Sequence, residues 1–225
     1  MKILQVSDIH SNENPKLIDY LKNNNIDLVL ISGDITNFGP LEFVGDFISQ
    51  IKEFCDVIAI PGNCDPNGIC NAITESEAVC LHKNVINFEN VIIFGYGGSN
   101  PTPFDTPGEI EDNKIYGDLN ELIFEYESVA NTTDKIKILL THAPPFNTLT
   151  DLVEGENHVG SHGVRKIIEN FNIDINLCGH IHEARSLDKI GNTVVANPGI
   201  LENDGAILID VNKDNTFDIG IVSLN

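Results

Sequence analysis

The amino-acid sequence predicts an α/β fold in which two β-sheets pack together as a sandwich flanked by helices. Three observations predict it. Short apolar runs alternate with amphipathic stretches through the first half of the 225 residues, the β-α-β-α-β rhythm of a parallel sheet covered by helices. The same rhythm returns after residue 134. Between and after these halves come paired apolar runs of hairpin and meander type, which add strands without adding helices.

In chain order, residues 2–6 read as a strand, 15–21 as a helix, 27–31 as a strand, 41–54 as a helix and 56–60 as a strand. Phe43, Phe47, Ile51 and Phe54 recur at helical spacing behind Pro40, a residue tolerated in a first helical turn, and read as core. Residues 85–88 and 91–94, parted by Glu89 and Asn90, read as a hairpin. Residues 95–117 are rich in Gly, Pro, Ser and Asn and follow neither period, so they read as a long surface loop of the kind that binds or covers a site. A helix over 118–129 follows, with Asp118 as its cap and Leu119, Leu122, Ile123 and Tyr126 on its apolar side. Next come a strand over 135–140, a loop over 142–160, a helix over 161–171 and a strand over 174–178. The segments 185–190, 193–196, 205–211 and 216–223 read as an antiparallel meander that closes the second sheet. No repeat or linker interrupts the pattern, so one domain is expected over residues 1–225.

Composition narrows the function. Lys and Arg number 13 against 34 Asp and Glu, a formal net charge of −21, which disfavours nucleic-acid and anionic-membrane surfaces because both depend on clustered cations. The apolar runs fall far short of the ~20 residues of a membrane helix. Residues 1–8 lack the apolar core of a signal peptide, so a cytoplasmic protein is expected. The five cysteines (55, 64, 70, 80 and 178) form no C-x-x-C pair, so neither a disulfide framework nor a zinc ribbon is suggested, and most of them are expected to be reduced.

Groups able to hold a metal collect where predicted strands end: Asp8 and His10, Asp34 after Gly33, Asn63 and Asp65 after Gly62, His142 after Thr141, and His180 and His182 after Gly179. Singly these pairings say little, since a chance Asp-x-His is expected about 0.6 times in such a composition. Five in succession, each at the carboxyl end of a predicted strand, say more. Residues i and i+2 of a strand share a side, so Asp8 with His10 and His180 with His182 are expected to present two heads together, and Asp34 could bridge two cations with its two oxygens. Mixed imidazole, carboxylate and amide ligands suit Mn, Fe, Zn or Ni better than Ca or Mg.

Taken in order, the strings D-x-H, GD, GN-x-D, a strand-terminal His and GH-x-H, running from Asp8 to His182, resemble the calcineurin-like metallophosphoesterases. The resemblance implies a four-layer sandwich of two sheets flanked by helices, and a phosphoester hydrolase with a dinuclear centre of two divalent ions, manganese first. It implies that Asp8, His10 and His182 hold one metal, that Asn63, His142 and His180 hold the other, and that Asp34 bridges them. A hydroxide between the metals then attacks phosphorus in line, which makes Asp34, Asn63 and His142 the catalytic candidates. Two adjacent divalent ions lower the pKa of bound water and clamp attacking and leaving oxygens, so the chemistry agrees.

One position departs from the family. Many members carry a histidine directly after the Gly-Asn pair, where this chain has Cys64, and a thiol is a poorer general acid than an imidazole. Cys64 and His158 are therefore the substrate-binding candidates, with His158 as a substitute acid. His162 and His82 read as surface residues, Ser161 as a helix N-cap, Arg185 as an ion-pair partner, the acidic stretch 109–134 as a solvated face and Asn197 as part of a turn behind the site. The protein-phosphatase pattern and the tyrosine of purple acid phosphatases are absent. The closer likeness is to small archaeal and bacterial phosphoesterases.

The leading expectation is a phosphodiesterase acting on a small phosphoester, because no arginine-rich pocket for a dianionic phosphate is visible. A phosphomonoesterase and a non-catalytic, metal-binding interaction scaffold of the same fold are the alternatives. Neither nucleic acid nor membrane is an expected partner. The 95–117 loop and a short exposed sheet edge are the candidate surfaces for a homodimer.

Overall fold

The computed structural model describes residues 1–130 and 135–224; the last four positions of the acidic stretch, 131–134, lie outside the described residues. The first half runs β1 (Lys2–Val6), α1 (Pro15–Asn23), β2 (Leu28–Ile31), α2 (Glu42–Lys52), β3 (Asp56–Ala59), α3 (Ile69–Glu75) and β4 (Val79–Cys80). A hairpin of β5 (Asn84–Phe88) and β6 (Val91–Tyr96) leads through a loop to α4 (Asp112–Val129) and β7 (Ile136–Thr141). The small pair β8 (Leu152–Val153) and β9 (Asn157–His158) precedes α5 (His162–Asn170) and β10 (Ile175–Leu177). The chain ends with β11 (Ser186–Ile190), β12 (Thr193–Asn197), β13 (Gly205–Val211) and β14 (Phe217–Ser223).

These strands form two six-stranded mixed sheets, ordered β14-β13-β1-β2-β3-β4 and β11-β12-β10-β7-β6-β5. Alternation along each strand decides what it packs against. Leu28 and Leu30 of β2 face the other sheet, whereas Val29 and Ile31 face α1 and α2. In β6, Val91 and Ile93 join the layer between the sheets while Ile92 and Phe94 meet α4. Strands buried on both faces are continuously apolar, which is why their runs show no polar alternation. Three apolar layers result, one between the sheets and one under each set of helices, and they make the four-layer sandwich expected from the sequence.

Several boundaries differ from the sequence reading for physical reasons. α4 begins at Asp112, six residues early, because Ile115 extends the buried Leu119–Ile123 stripe and Gly117 does not break it. Asp118 is thus mid-helix and takes ion pairs from Lys83 and Lys114 instead of capping. Asp112 is used across space, accepting from the Ser161 hydroxyl and the backbone N–H groups of His162 and Gly163 at the start of α5. Ser161 caps α5 through Val164, as its position predicts.

The final meander is divided between the sheets: β11 and β12 extend the second, while β13 returns to pair antiparallel with β1, Lys2 opposite Asp210. α3 and β4, at seven and two residues, are too short to show a period and were not legible. Three of the five cysteines, Cys55, Cys64 and Cys178, are free, while Cys70 and Cys80 form a disulfide between these two short elements that the spacing did not suggest. No helix of the described residues is long and apolar enough to cross a membrane.

Candidate metal centre

The parallel strands β1, β2 and β3 of one sheet and β7 and β10 of the other end on the same side of the molecule, and the loops that follow them meet there. Those loops carry Asp8 and His10, Asp34, Asn63 to Asp65, His142, and His180 to His182. Buried polar groups hold the sheets together beneath them. Gln5 of β1 donates from Nε2 to Ser32 Oγ at 2.8 Å and to the Cys178 carbonyl at 2.7 Å. Asp65 joins the two loops of its own sheet, accepting from the backbone N–H groups of Ile35, Thr36 and Gly62.

Ligand heads converge by kinked backbone rather than by strand alternation. β1 stops at Val6, and Asp8, His10 and Ser11 lie beyond it with φ of 55°, 49° and 57°; Asp34 and His180 are left-handed as well, at 51° and 70°. Such conformations cost on the order of 1–3 kcal/mol each in non-glycine residues and collect at functional sites. The close approach of these loops also requires glycine. A Cβ on Gly179 would sit 1.8 Å from Ser7 Oγ and 2.6 Å from Asp8 Oδ2, and one on Gly62 would meet Asp34 Oδ1 at 2.0 Å.

Asp8, His10 and His182 form one group of potential ligand atoms, and Asp34, His142 and His180 a second, the atoms of each lying within 4.8 Å of one another. His180 and His182 therefore fall in different groups rather than presenting two heads together from one strand face. In the first group His10 Nε2 and His182 Nε2 are 3.0 Å apart, with Asp8 Oδ1 at 3.3 Å from His182 Nε2. In the second, His142 Nε2 lies 2.9 Å from Asn63 Oδ1 and 3.4 Å from Asp34 Oδ2. Asp34 Oδ1 is occupied by the Cys64 backbone N–H at 2.8 Å, so a single oxygen, Oδ2, faces both His142 and His10, the latter at 3.7 Å.

Protons decide what such a cluster is for. The Ser32 carbonyl can only accept, so His142 Nδ1 donates to it at 2.7 Å, which leaves Nε2, aimed at Asn63 Oδ1 and Asp34 Oδ2, as the atom that carries the titrating proton in the bare side chain and would give it up to a metal. Asp8 is fully buried, and its Oδ1 has no hydrogen-bond partner in the structure; His182 Nε2, 3.3 Å away, makes no hydrogen bond of acceptable geometry. A buried carboxylate oxygen left in this way is costly unless a cation is its partner. The donor set, imidazole nitrogens with carboxylate and amide oxygens and without obligatory thiolate, fits divalent transition metals.

Titration of the bare side chains follows the same crowding. Burial alone would raise Asp8 and Asp34, but the facing rings, His182 and His142 for Asp8 and His142 and His10 for Asp34, hold both carboxyls below their ordinary value. Burial works against the His142 imidazolium, yet Asp34 and Asp8 carry it up to about 9. His180 is depressed to about 4 by burial and the neighbouring His142 charge. Burial and then Asp34 push the Cys64 thiol upward.

The remaining sequence candidates fall outside the two groups or at their edge. The Cys64 sulfur forms a third group with His10 and Asp34. His158 is held through Nδ1 by the buried Asp151 at 2.7 Å. Arg185 is spent on the carbonyls of Asn203 and Val222, and Arg165 on Glu169 and the carbonyls of Phe146 and Asn147. Asn197 braces the His180 loop from behind, donating to the carbonyls of Gly179 and Ile181. His82 departs from its expected surface role: it is half-buried, its Nδ1 accepts from the Gly97 backbone N–H at 2.9 Å, and burial followed by the Lys83 charge lowers it to about 4. Sequence reasoning missed Thr106 and Glu109, which position Asn63 from a loop with no recognisable period.

A two-sheet α/β sandwich with paired imidazole and carboxylate clusters at its strand ends defines a class of candidate metal-dependent hydrolases. The chain belongs to the calcineurin-like phosphoesterase family, whose model matches residues 1–184. It is 39% identical over 202 residues to the uncharacterized protein MJ1162 of Methanocaldococcus jannaschii, covering 88% of each chain. Its fold is similar to that of the protein TT1561 of Thermus thermophilus, with a TM-score of 0.76 at 17% identity over 100% of this chain and 99% of that one. A further crystal structure matches with a TM-score of 0.81 at 19% identity and the same coverage. Family membership supports metal-dependent phosphoester hydrolysis, and the two structural likenesses carry the fold alone.

Proposed function

We propose that this protein is a dinuclear-metal phosphodiesterase. Asp8, His10 and His182 would hold one divalent ion and Asn63, His142 and His180 the other, with Asp34 shared between them through Oδ2. The observation that carries this reading is the convergence of ligand atoms on two points: Asp8 Oδ1, buried without a hydrogen bond, beside His10 and His182 on one side, and His142 Nε2 with Asn63 Oδ1 and Asp34 Oδ2 on the other. Two divalent ions bound there supply an activated water and charge neutralisation at phosphorus and at the leaving oxygen. Manganese is the first candidate, with iron, nickel or zinc compatible with the same ligands.

The chain's own groups shape the rest. Ser32 fixes the His142 tautomer through Nδ1, and the Cys64 N–H fixes Asp34, so both ligands are oriented before any metal arrives. Both arginines are committed to carbonyls or to Glu169, which leaves no guanidinium fork for a dianionic terminal phosphate and favours diesters over monoesters. A thiol stands where an imidazole acid would be useful, and His158 is bound to Asp151. Esters with good leaving groups are therefore the favoured substrates.

The test is hydrolysis of bis-(p-nitrophenyl) phosphate and p-nitrophenyl phosphate by metal-stripped protein resupplied with Mn²⁺, Ni²⁺, Zn²⁺ or Mg²⁺. Metal-dependent turnover with the diester ahead supports the reading. Two bound metals with neither ester hydrolysed would favour a non-catalytic scaffold.

A further inference from the structure

We propose that a cavity beside the metal centre selects phosphodiesters bearing an uncharged apolar substituent, with Phe104 as the residue that reads it. The inference rests on the phosphodiesterase reading of the same site and adds the chemistry of the group attached to phosphate. The cavity encloses about 580 Å³, and His180 and His182, one from each ligand group, stand in its wall. An ester positioned at the centre would thus have one substituent directed into it.

Away from the metal-binding loop, most of the wall is apolar and comes from two separate segments. Phe104, with Pro101 and Pro103, comes from the loop between β6 and α4; Val153, in β8, and Val159, just after β9, come from the small hairpin opposite. Phe104 is 80% exposed and Val159 39%, a cost in water that a bound apolar group would relieve. Neither wall is free to drift. Asn100 Nδ2 donates to the Val159 carbonyl at 3.1 Å and joins the two. The backbone N–H groups of Gly98 and Gly108 donate to the carbonyls of Pro61 and Asn63, which fastens the Phe104 loop to the metal-binding loop itself.

Charge points the same way. Among the described residues no Lys or Arg lines the cavity and Glu183 is its one carboxylate, so a second phosphate or a carboxylate on the substrate would meet repulsion with no counter-ion. The space is also large enough for a ring: pockets of 300–1,000 Å³ are typical of those that enclose most of a small ligand. β8–β9 register separates this face from His158, which is paired across from Leu152 while Val153 sits opposite Asn157. Alternation therefore puts Val153 and Val159 on the face away from His158.

The experiment compares dimethyl phosphate with dibenzyl phosphate, two monoanionic diesters with poor leaving groups, by calorimetric titration of the manganese-loaded protein. Dibenzyl phosphate is expected to bind at least about tenfold tighter. Phe104→Ala should bring the ratio to within about threefold, and Phe104→Leu should keep most of the preference. A para-carboxylate on each benzyl ring should cancel the gain. A wild-type ratio near one, a ratio untouched by Phe104→Ala, or tighter binding of the carboxylate would each overturn the proposal. Turnover of bis-(p-nitrophenyl) phosphate, measured in parallel, separates the two claims: turnover with a flat ratio removes only the cavity assignment, whereas a steep Phe104-dependent ratio without turnover removes only the hydrolase reading.

Discussion

The side-chain amide of Asn63 donates to Thr106 Oγ1 at 2.9 Å, and this contact turns the opposite end of the amide, Oδ1, to within 2.9 Å of His142 Nε2. Thr106 in turn donates to Glu109, which also accepts from the Thr106 backbone N–H at 2.9 Å. The loop between β6 and α4 thus sets which atom of Asn63 a metal would meet. Thr106→Val keeps the shape and removes the acceptor. It should weaken metal binding about 10–100-fold, as loss of outer-shell partners commonly does. Thr106→Ser should restore most of it. Titration with Mn²⁺ reads both variants, and unchanged affinity in Thr106→Val would remove Thr106 from this role.

Asp8 gives a separate prediction for each of the two metal states. Despite burial, the His182 and His142 rings hold its carboxyl below the ordinary value, so the ionised group stabilises the metal-free fold near neutral pH and Asp8→Asn should lower that stability. Saturating Mn²⁺ should raise the stability of wild type, by about 2.7 kcal/mol at a hundredfold excess over Kd, and that of the variant by much less. Thermal unfolding with and without Mn²⁺ measures both effects. An equal metal-induced rise in the two proteins would show that Asp8 is not a ligand.

His82 makes stability depend on pH. Its folded value of about 4 lies below the unfolded value of about 6.5, so the unfolded chain binds the extra proton between them. The contribution is present in full above pH 6.5 and is lost as pH falls toward 4, up to about 3 kcal/mol in all. Protonation also removes the acceptor that Nδ1 offers to the Gly97 N–H. His82→Gln should therefore flatten the acid side of the stability curve relative to wild type in urea unfolding at pH 7, 6 and 5. Parallel curves would show that His82 titrates as an exposed imidazole.

Cys70 and Cys80 should resist alkylation in denatured, unreduced protein, leaving Cys55, Cys64 and Cys178 as the three that react. After reduction all five should react. Closing so short a loop is worth roughly 2–3 kcal/mol in the chain-entropy account, so reduction should lower the urea midpoint. Five modified cysteines before any reductant is added would show the pair to be open.

The architecture was legible where chemistry and period agreed. Runs such as Leu28–Ile31 and Val91–Phe94 are apolar because both faces are covered, and the metal-binding residues follow such runs directly. The mechanism of convergence was not legible. Asp8 and His10 were expected to share a strand face, but left-handed kinks at both residues bring them together instead; Asp and His tolerate positive φ better than most residues, yet that preference is too weak to place a kink. Long-range partners were equally hidden: Asp112 read as part of an acidic surface and instead holds the start of α5, and His82 read as solvent-facing although the Gly97 turn folds over it. The return of β13 to β1 depends on register between residues more than 200 positions apart, for which the sequence carries no local signal.

The central claim is that seven side chains hold two cations on either side of one aspartate oxygen. Anomalous diffraction at the manganese edge, from crystals grown with Mn²⁺, tests it most directly. Two peaks should appear, one contacted by Asp8, His10 and His182 and one by Asn63, His142 and His180, with Asp34 Oδ2 touching both. No peak within reach of Asp34, or a single peak whose neighbours do not include it, would contradict the account.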